Sequence, residues 1–258
     1  MKYYFLADTH FGHSAIIKYC NRPFMDASEK GIYDLIQKGI VPQKELKISK
    51  ESTEKMDAAI IQSINNVVAH KDTLILLGDF CLSSEYEIVK KYRDRINCQN
   101  IFLILGNHDN REVCEKIFPQ CFENYLFKID GKIIFTSHYP TRSWNKAYNG
   151  SWMLYGHVHG KLNNEDNGLL LEYDRKIIQS GFSSVLIRHG IDNQNIINDL
   201  LAVCDSTKGI DLTLDVGVDN LRCELPFATP WSIKDIELYM AKKASKWNAR
   251  KSCFKNNC

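Results

Sequence analysis

The sequence predicts an α/β protein with two packed mixed β-sheets flanked by helices and interrupted by two insertions. Three observations predict it. The apolar runs in "YYFLADTH", "TLILLGDF" and "IFLILGNHD" each end in a glycine or polar cluster, as short strands buried on both faces of a sheet do. Helical apolar spacing lies between these runs, which gives strand, helix, strand repeats. Later in the chain the pattern changes to hairpin and strand signals, so a second, mixed or antiparallel sheet is expected beside the first.

The first run is cut short by Asp8 and His10 before the core of a signal peptide is complete, so it reads as a buried strand of a cytoplasmic protein. Residues 26–51 are polar and lysine-rich, with helical spacing at Ile32, Leu35, Ile36 and Ile40. They read as an insertion at the loop edge of the sheet, where lids and interfaces often form. Ser52 or Thr53 is expected to cap a helix with apolar positions Met56, Ile60, Ile64, Val67 and Val68, and Ser83 or Ser84 another through Ile88, Val89 and Tyr92. Asp130-Gly131 between two apolar stretches predicts a hairpin. "SWMLYGHVHG" and "DLTLDVGVD" predict two further strands. A second insertion, 161–210, separates them, with Asp192 placed to cap a short helix. An amphipathic helix is expected from about Ser232 to Ala244, with Ile233, Ile236 and Tyr239 or Met240 on one face, followed by a basic tail over 245–258.

At 258 residues, 44% hydrophobic and 25% charged, the chain suits one domain, 1–258, carrying both insertions. No apolar run approaches a membrane span. A net charge of +2 excludes a polycation that coats nucleic acid by charge alone. The nine cysteines are scattered with no C-x-x-C pair, which indicates neither a zinc ribbon nor a disulfide framework.

Chemistry-bearing residues collect where the runs end: Asp8 and His10; Asp79; Asn107, His108 and Asp109; His138; His157 and His159. Taken singly, Asp8 or Asp79 could cap a helix, Asn107 and Asp109 could be turn residues, and His138 could be a hydrogen-bonded core residue. Their joint placement is the signal, because strand ends on one edge of an α/β sheet bring distant residues together. In "LYGHVHG" the two histidines sit between glycines, which argues for a turn that presents them.

In order, "ADTH", "LGDF", "LGNHD", "SHYP" and "YGHVHG" resemble the D-x-H, G-D, G-N-H-D/E, H and G-H-x-H blocks of the calcineurin-like metallophosphoesterases, over Met1 to about Gly160. The small stand-alone members are the nearest type. The resemblance implies two divalent metals clamped between two sheets. Asp8, His10, Asp79 and His159 would hold one, and Asp79, Asn107, His138 and His157 the other, with Asp79 bridging. A hydroxide shared by the ions would attack phosphorus in line. His108 would protonate the leaving group, with Asp109 orienting and charging its ring. An oxygen and imidazole ligand set permits Mn, Fe, Zn, Co or Ni, and manganese is the first expectation.

His13 and Arg111 are candidate substrate contacts, although His13 could equally support the ligands and Arg111 could pair with a carboxylate. Arg142, Lys161 and Arg222 are weaker candidates, and Cys81 and Asp219 read as packing and structural residues. "GDFCLSS" and "GNHD" depart from the G-D-x-V-D-R-G and G-N-H-E of the family's serine/threonine protein phosphatases, which argues against that substrate class. The expected activity is hydrolysis of phosphodiesters or phosphomonoesters of nucleotides or other phosphorylated small molecules. A nuclease that holds the backbone of DNA or RNA with the basic tail ranks second. A non-catalytic scaffold on the same fold is the alternative of another class. No membrane partner is expected, and the oligomeric state stays open.

Overall fold

Strands β1 (Tyr3–Leu6), β2 (Thr73–Leu77) and β3 (Asn100–Ile104) form where the three apolar runs lie. The structure, a computed structural model, describes residues 1–141, 143–161, 163–164, 167–168, 212–222 and 224–255. These three strands and β4 (Gln120–Phe122) lie side by side in parallel. Side chains alternate across the sheet, so neighbours in sequence enter different cores. Tyr4, Leu6, Leu74, Leu76 and Leu103 face one core, while Phe5, Ile75, Leu77 and Ile104 face another. Each fully buried Leu or Ile contributes about 1.5–3 kcal/mol of transfer free energy.

The first core is closed by helices α1 (Ser14–Tyr19), α3 (Lys50–Val67), α4 (Tyr86–Asp94) and α5 (Arg111–Ile117), of which α3 supplies Met56, Ile60, Ile61 and Ile64, while α2 (Ala27–Gln37) lies outside it. Of Val67 and Val68, both expected on this face, Val67 is exposed and Val68 is buried. Helix α3 also begins earlier than expected. Ser49 caps it, its Oγ accepting from Ser52 N at 3.1 Å. Ser52 lies inside the helix because Glu29 accepts its hydroxyl at 2.7 Å and the Ser49 N–H at 2.6 Å. Helix α4 is preceded by Glu85 with no side-chain cap, and Ser83 Oγ accepts only from Glu85 N. The insertion 26–51 is helical as expected, entered through a capping box of Asp26 and Glu29. Glu29 is the buried residue of α2, while Leu35 and Ile40 are exposed.

The second core lies between the sheets. Asp130 and Gly131 both take positive φ in the tight turn that joins β5 (Asn124–Ile129) to β6 (Lys132–Ser137), as the hairpin signal requires. Strand β7 (Trp152–Tyr155) runs parallel to β6. Strands β8 (Asn163–Asn164) and β9 (Asn167–Gly168) form a small antiparallel pair. The rest of the second insertion, including Asp192, lies outside the described residues. Strand β10 (Thr213–Asp215) pairs in parallel with β7 and completes a mixed sheet of order β10-β7-β6-β5. Strand β11 (Trp231–Ser232) then adds antiparallel to β1, which makes the first sheet mixed as well. The last helix, α6 (Ile233–Lys255), buries Ile236 and Met240 against the inter-sheet core and runs well past Ala244, into the stretch expected as a tail. None of the described helices is long and apolar enough to cross a membrane.

The functional edge follows from strand direction. Strands β1, β2 and β3 are parallel to one another, as are β6, β7 and β10, so each set ends on one edge. The two sheets are joined at that edge by a bridge between Ala7 and Gly217, with Ala7 N donating to Val216 O and Val218 N to Ala7 O.

Candidate metal centre

Every chemistry-bearing residue predicted from the run ends lies just beyond one of these strands. Asp8, His10, Asp79, His157 and His159 all have positive φ, between 50° and 72°. For non-glycine residues this left-handed backbone is uncommon, and Asp, Asn and His tolerate it better than most. It lets each chain segment turn out of its strand and deliver a side chain back over the sheet edge. The loops brace one another: Asp8 N donates to Gly78 O at 3.0 Å and His10 N to Asp79 O at 2.9 Å.

Several overlapping groups of donors result among the described residues. Asp8, His10 and His159 offer ligand atoms within 4.8 Å of one another, and so do Asp79, His138 and His157, and His10, Asp79 and His108. Asp79 stands between them, its Oδ2 lying 3.4 Å from both His10 Nε2 and His138 Nε2. Asn107 Oδ1 is 3.1 Å from His138 Nε2. The seven residues named from the sequence as ligands are thus brought close together at this edge. His138 donates Nδ1–H to Leu77 O at 2.8 Å, which leaves Nε2 for the centre. His10 Nδ1 faces His13 Nδ1 at 3.3 Å, and its buried Nε2 has no hydrogen-bond partner. A buried, unpartnered imidazole nitrogen is costly without a ligand. With the oxygen and imidazole donors around it, it fits a divalent cation, and these His/Asp clusters are suited to hold such ions.

The electrostatics agree with a site shaped for cations. Burial pushes Asp8 up to about 7, helped by the buried Asp215 carboxyl nearby. Burial would raise Asp79 too, but the hydrogen bond and charge of His138 and the His108 N–H outweigh it and hold Asp79 at about 2. Burial drives His10 down to about 2. It also disfavours the charged form of His159, yet the hydrogen bond to Asp219 wins and raises that ring to about 10.

Metal uptake would therefore displace protons from Asp8 and His159. Burial holds the Asp8 proton above the usual carboxylate range, and the Asp219 hydrogen bond holds that of His159 above the usual imidazole range. The apparent affinity of the metal-free protein for Mn²⁺ should rise with pH through the neutral range. Calorimetric titration at several pH values measures this, and a pH-independent affinity would contradict it.

The remaining candidates divide. His108 is exposed, its ring 5.2 Å from that of His10 and 5.9 Å from that of His13. His13 therefore belongs to the cluster. The expected role of Asp109 is corrected: its carboxylate accepts from Asp79 N, Phe80 N and Gly106 N at 2.8–2.9 Å, and so pins the two loops rather than orienting the His108 ring. Arg111 takes the other reading given for it, its exposed guanidinium pairing with Glu115 and Glu123. Arg222 is structural, lying over Trp231 and bonded to Pro230 O and Asp235. Lys161 is exposed, and Arg142 lies outside the described residues. Cys81 is buried packing, as expected. The sequence reading missed Arg22 and Asp215, and it gave Asp219 only a structural role. Asp215 accepts from Gly160 N at 2.9 Å and Gly217 N at 2.8 Å, so it holds the end of the H-x-H turn. The "LDVGVD" stretch carried that signal in its two carboxylates beside a glycine.

A family model described as calcineurin-like phosphoesterase matches residues 1–209. The chain is 32% identical over 160 residues to the uncharacterized protein MJ1445 of Methanocaldococcus jannaschii, covering 61% of this chain and 69% of that one. Among solved structures, it is similar to a protein of unknown function, AQ665, from Aquifex aeolicus. The TM-score is 0.52 and the identity 17%, over 92% of this chain and 98% of the other, which is a likeness of fold.

Proposed function

Because the chain belongs to the calcineurin-like phosphoesterase family, a family of metal-dependent phosphoester hydrolases, we propose that it is a dinuclear enzyme acting on phosphorylated small molecules, nucleotides first among them. The observation that carries this is the convergence of six of the chain's eight histidines on Asp8 and Asp79, with the buried His10 Nε2 unpartnered. Asp8, His10, Asp79 and His159 would hold one ion, and Asp79, Asn107, His138 and His157 the other. When bound, two divalent cations make water nucleophilic near neutral pH and offset the charge of the phosphoryl oxygens. Manganese is the preferred pair, with iron, zinc, cobalt or nickel as alternatives of the same donor chemistry.

The chain's own groups supply the rest. His108 is the exposed imidazole of the cluster, and its backbone N–H is fixed by Asp79 Oδ1 at 2.9 Å. It is placed to give a proton to the departing oxygen, which general-acid catalysis makes worth about 10²–10⁴-fold in rate. Asp109 keeps the loops bearing Asp79 and His108 in register through backbone bonds. His13 stands beside both His10 and His108, where a substrate phosphate would meet it. The proposal includes a cytoplasmic location.

A panel of cyclic nucleotides, linear dinucleotides, single-stranded DNA and phosphomonoesters, assayed with added Mn²⁺ and with Asp79→Asn as the blank, tests the reading. Turnover on the small phosphoesters supports it. Turnover only on DNA points to the nuclease alternative, and neither metal uptake nor turnover points to a scaffold. His108→Ala should keep both metals by elemental analysis while turnover falls about 10²–10⁴-fold. Loss of metal with undiminished residual chemistry would contradict the role of His108.

A further inference from the structure

We propose that Arg22 and Asp219 form a positioning pair that sets the His159 ring for the metal centre and locks the two ligand-bearing loops against each other; this rests on the functional reading above. Arg22 is the largest fully buried side chain among the described residues, 2% exposed. Its Nε donates to Asp219 Oδ1 at 2.8 Å and its Nη2 to Asp219 Oδ2 at 2.7 Å, a two-pronged bond across 197 positions of sequence. The same guanidinium donates to Asp8 O at 2.8 Å and to Thr9 O at 3.1 Å, the backbone that delivers Asp8 and His10. Asp219 Oδ2 in turn accepts Nδ1–H of His159 at 2.7 Å.

One ion pair thus touches both loops, one from each sheet. A ring that gives Nδ1–H to a carboxylate keeps its Nε2 lone pair for a metal, in a fixed orientation and with raised basicity. Burying such a pair gains little stability over apolar side chains of the same volume, so the built-in geometry is the more telling property. Cys20, His159 and Asp219 also place donor atoms within 4.8 Å of one another. That group is no third cation site, because both Asp219 oxygens already serve the positive guanidinium. Asp219 lies beyond residue 209, where the family match ends, whereas Arg22 lies within it.

The test uses the full chain stripped of metal and titrated with Mn²⁺ by calorimetry, with bound metal counted by elemental analysis. Asp219→Asn should weaken one of two binding events by about 10–100-fold and leave the other within a few-fold. Arg22→Lys, which keeps the charge and loses the fork, should fall between that variant and the unaltered protein. Unchanged affinity in a folded Asp219→Asn overturns the proposal. If that variant does not fold, the unaltered zinc-loaded protein decides by long-range proton–nitrogen NMR of the His159 ring: metal on Nε2 with a proton on Nδ1 is expected, and the reverse overturns it. Unaltered protein that takes up no metal would instead defeat the functional reading itself.

Discussion

Asp79→Asn is expected to lower metal-supported hydrolysis by on the order of 10⁴-fold while the protein stays folded. The proposed bridging role concentrates on one carboxylate what other ligands do singly, since His10 Nε2 and His138 Nε2 both lie 3.4 Å from its Oδ2. The amide keeps the shape and an acceptor for His108 N–H, and removes the charge and the second oxygen donor, which becomes an NH2 group. Asparagine also tolerates the φ of 53° at this position. Asp79→Ala adds a left-handed backbone cost of about 1–2 kcal/mol, so it mixes two effects. Elemental analysis and turnover of an aryl phosphodiester measure the outcome. A variant that holds both metals and keeps activity within tenfold of the unaltered enzyme would overturn the bridging assignment.

Gly106→Ala is expected to cost about 3 kcal/mol or more of stability, at the upper end of what overpacking does. A Cβ there would sit 2.2 Å from Asp79 Oδ1 and 2.4 Å from Asp79 N. These atoms cannot swing away like the tip of a long side chain. Asp79 N and Gly106 N share the Asp109 carboxylate, so displacing one strand end pulls on the other. Denaturant unfolding of the metal-free variant reads the cost, and metal titration should show weakened uptake as well. A midpoint equal to that of the unaltered protein would contradict the close approach.

The fold was legible where local chemistry is decisive. Apolar runs too short for helices became β1, β2 and β3, and Asp130-Gly131 could hardly be anything but a tight turn. Caps were harder, because several hydroxyls competed and the choice fell to a distant group: Glu29 took the hydroxyl of Ser52 and left Ser49 to cap α3. The residues that meet at the centre were legible because strand ends share an edge. Their support was not. Arg22 has no local mark that separates it from a surface arginine, and its partner lies 197 positions away. Asp109 misled for a related reason, since adjacency to His108 in sequence suggests a side-chain contact, whereas its carboxylate turns inward to three backbone N–H groups.

The donors arrive from two separate leaves of the molecule: Asp8, His10, Asp79 and Asn107 follow strands of the first sheet, and His138, His157 and His159 follow strands of the second. Neither proposed ligand set is drawn from one leaf alone. An ion seated among them acts as a rivet, and prying the leaves apart means surrendering its ligands. Occupancy and cohesion would then be one equilibrium: a cation at 100 times its dissociation constant adds about 2.7 kcal/mol against unfolding, and starving the protein of metal is expected to loosen the sandwich at the same edge where the chemistry would occur.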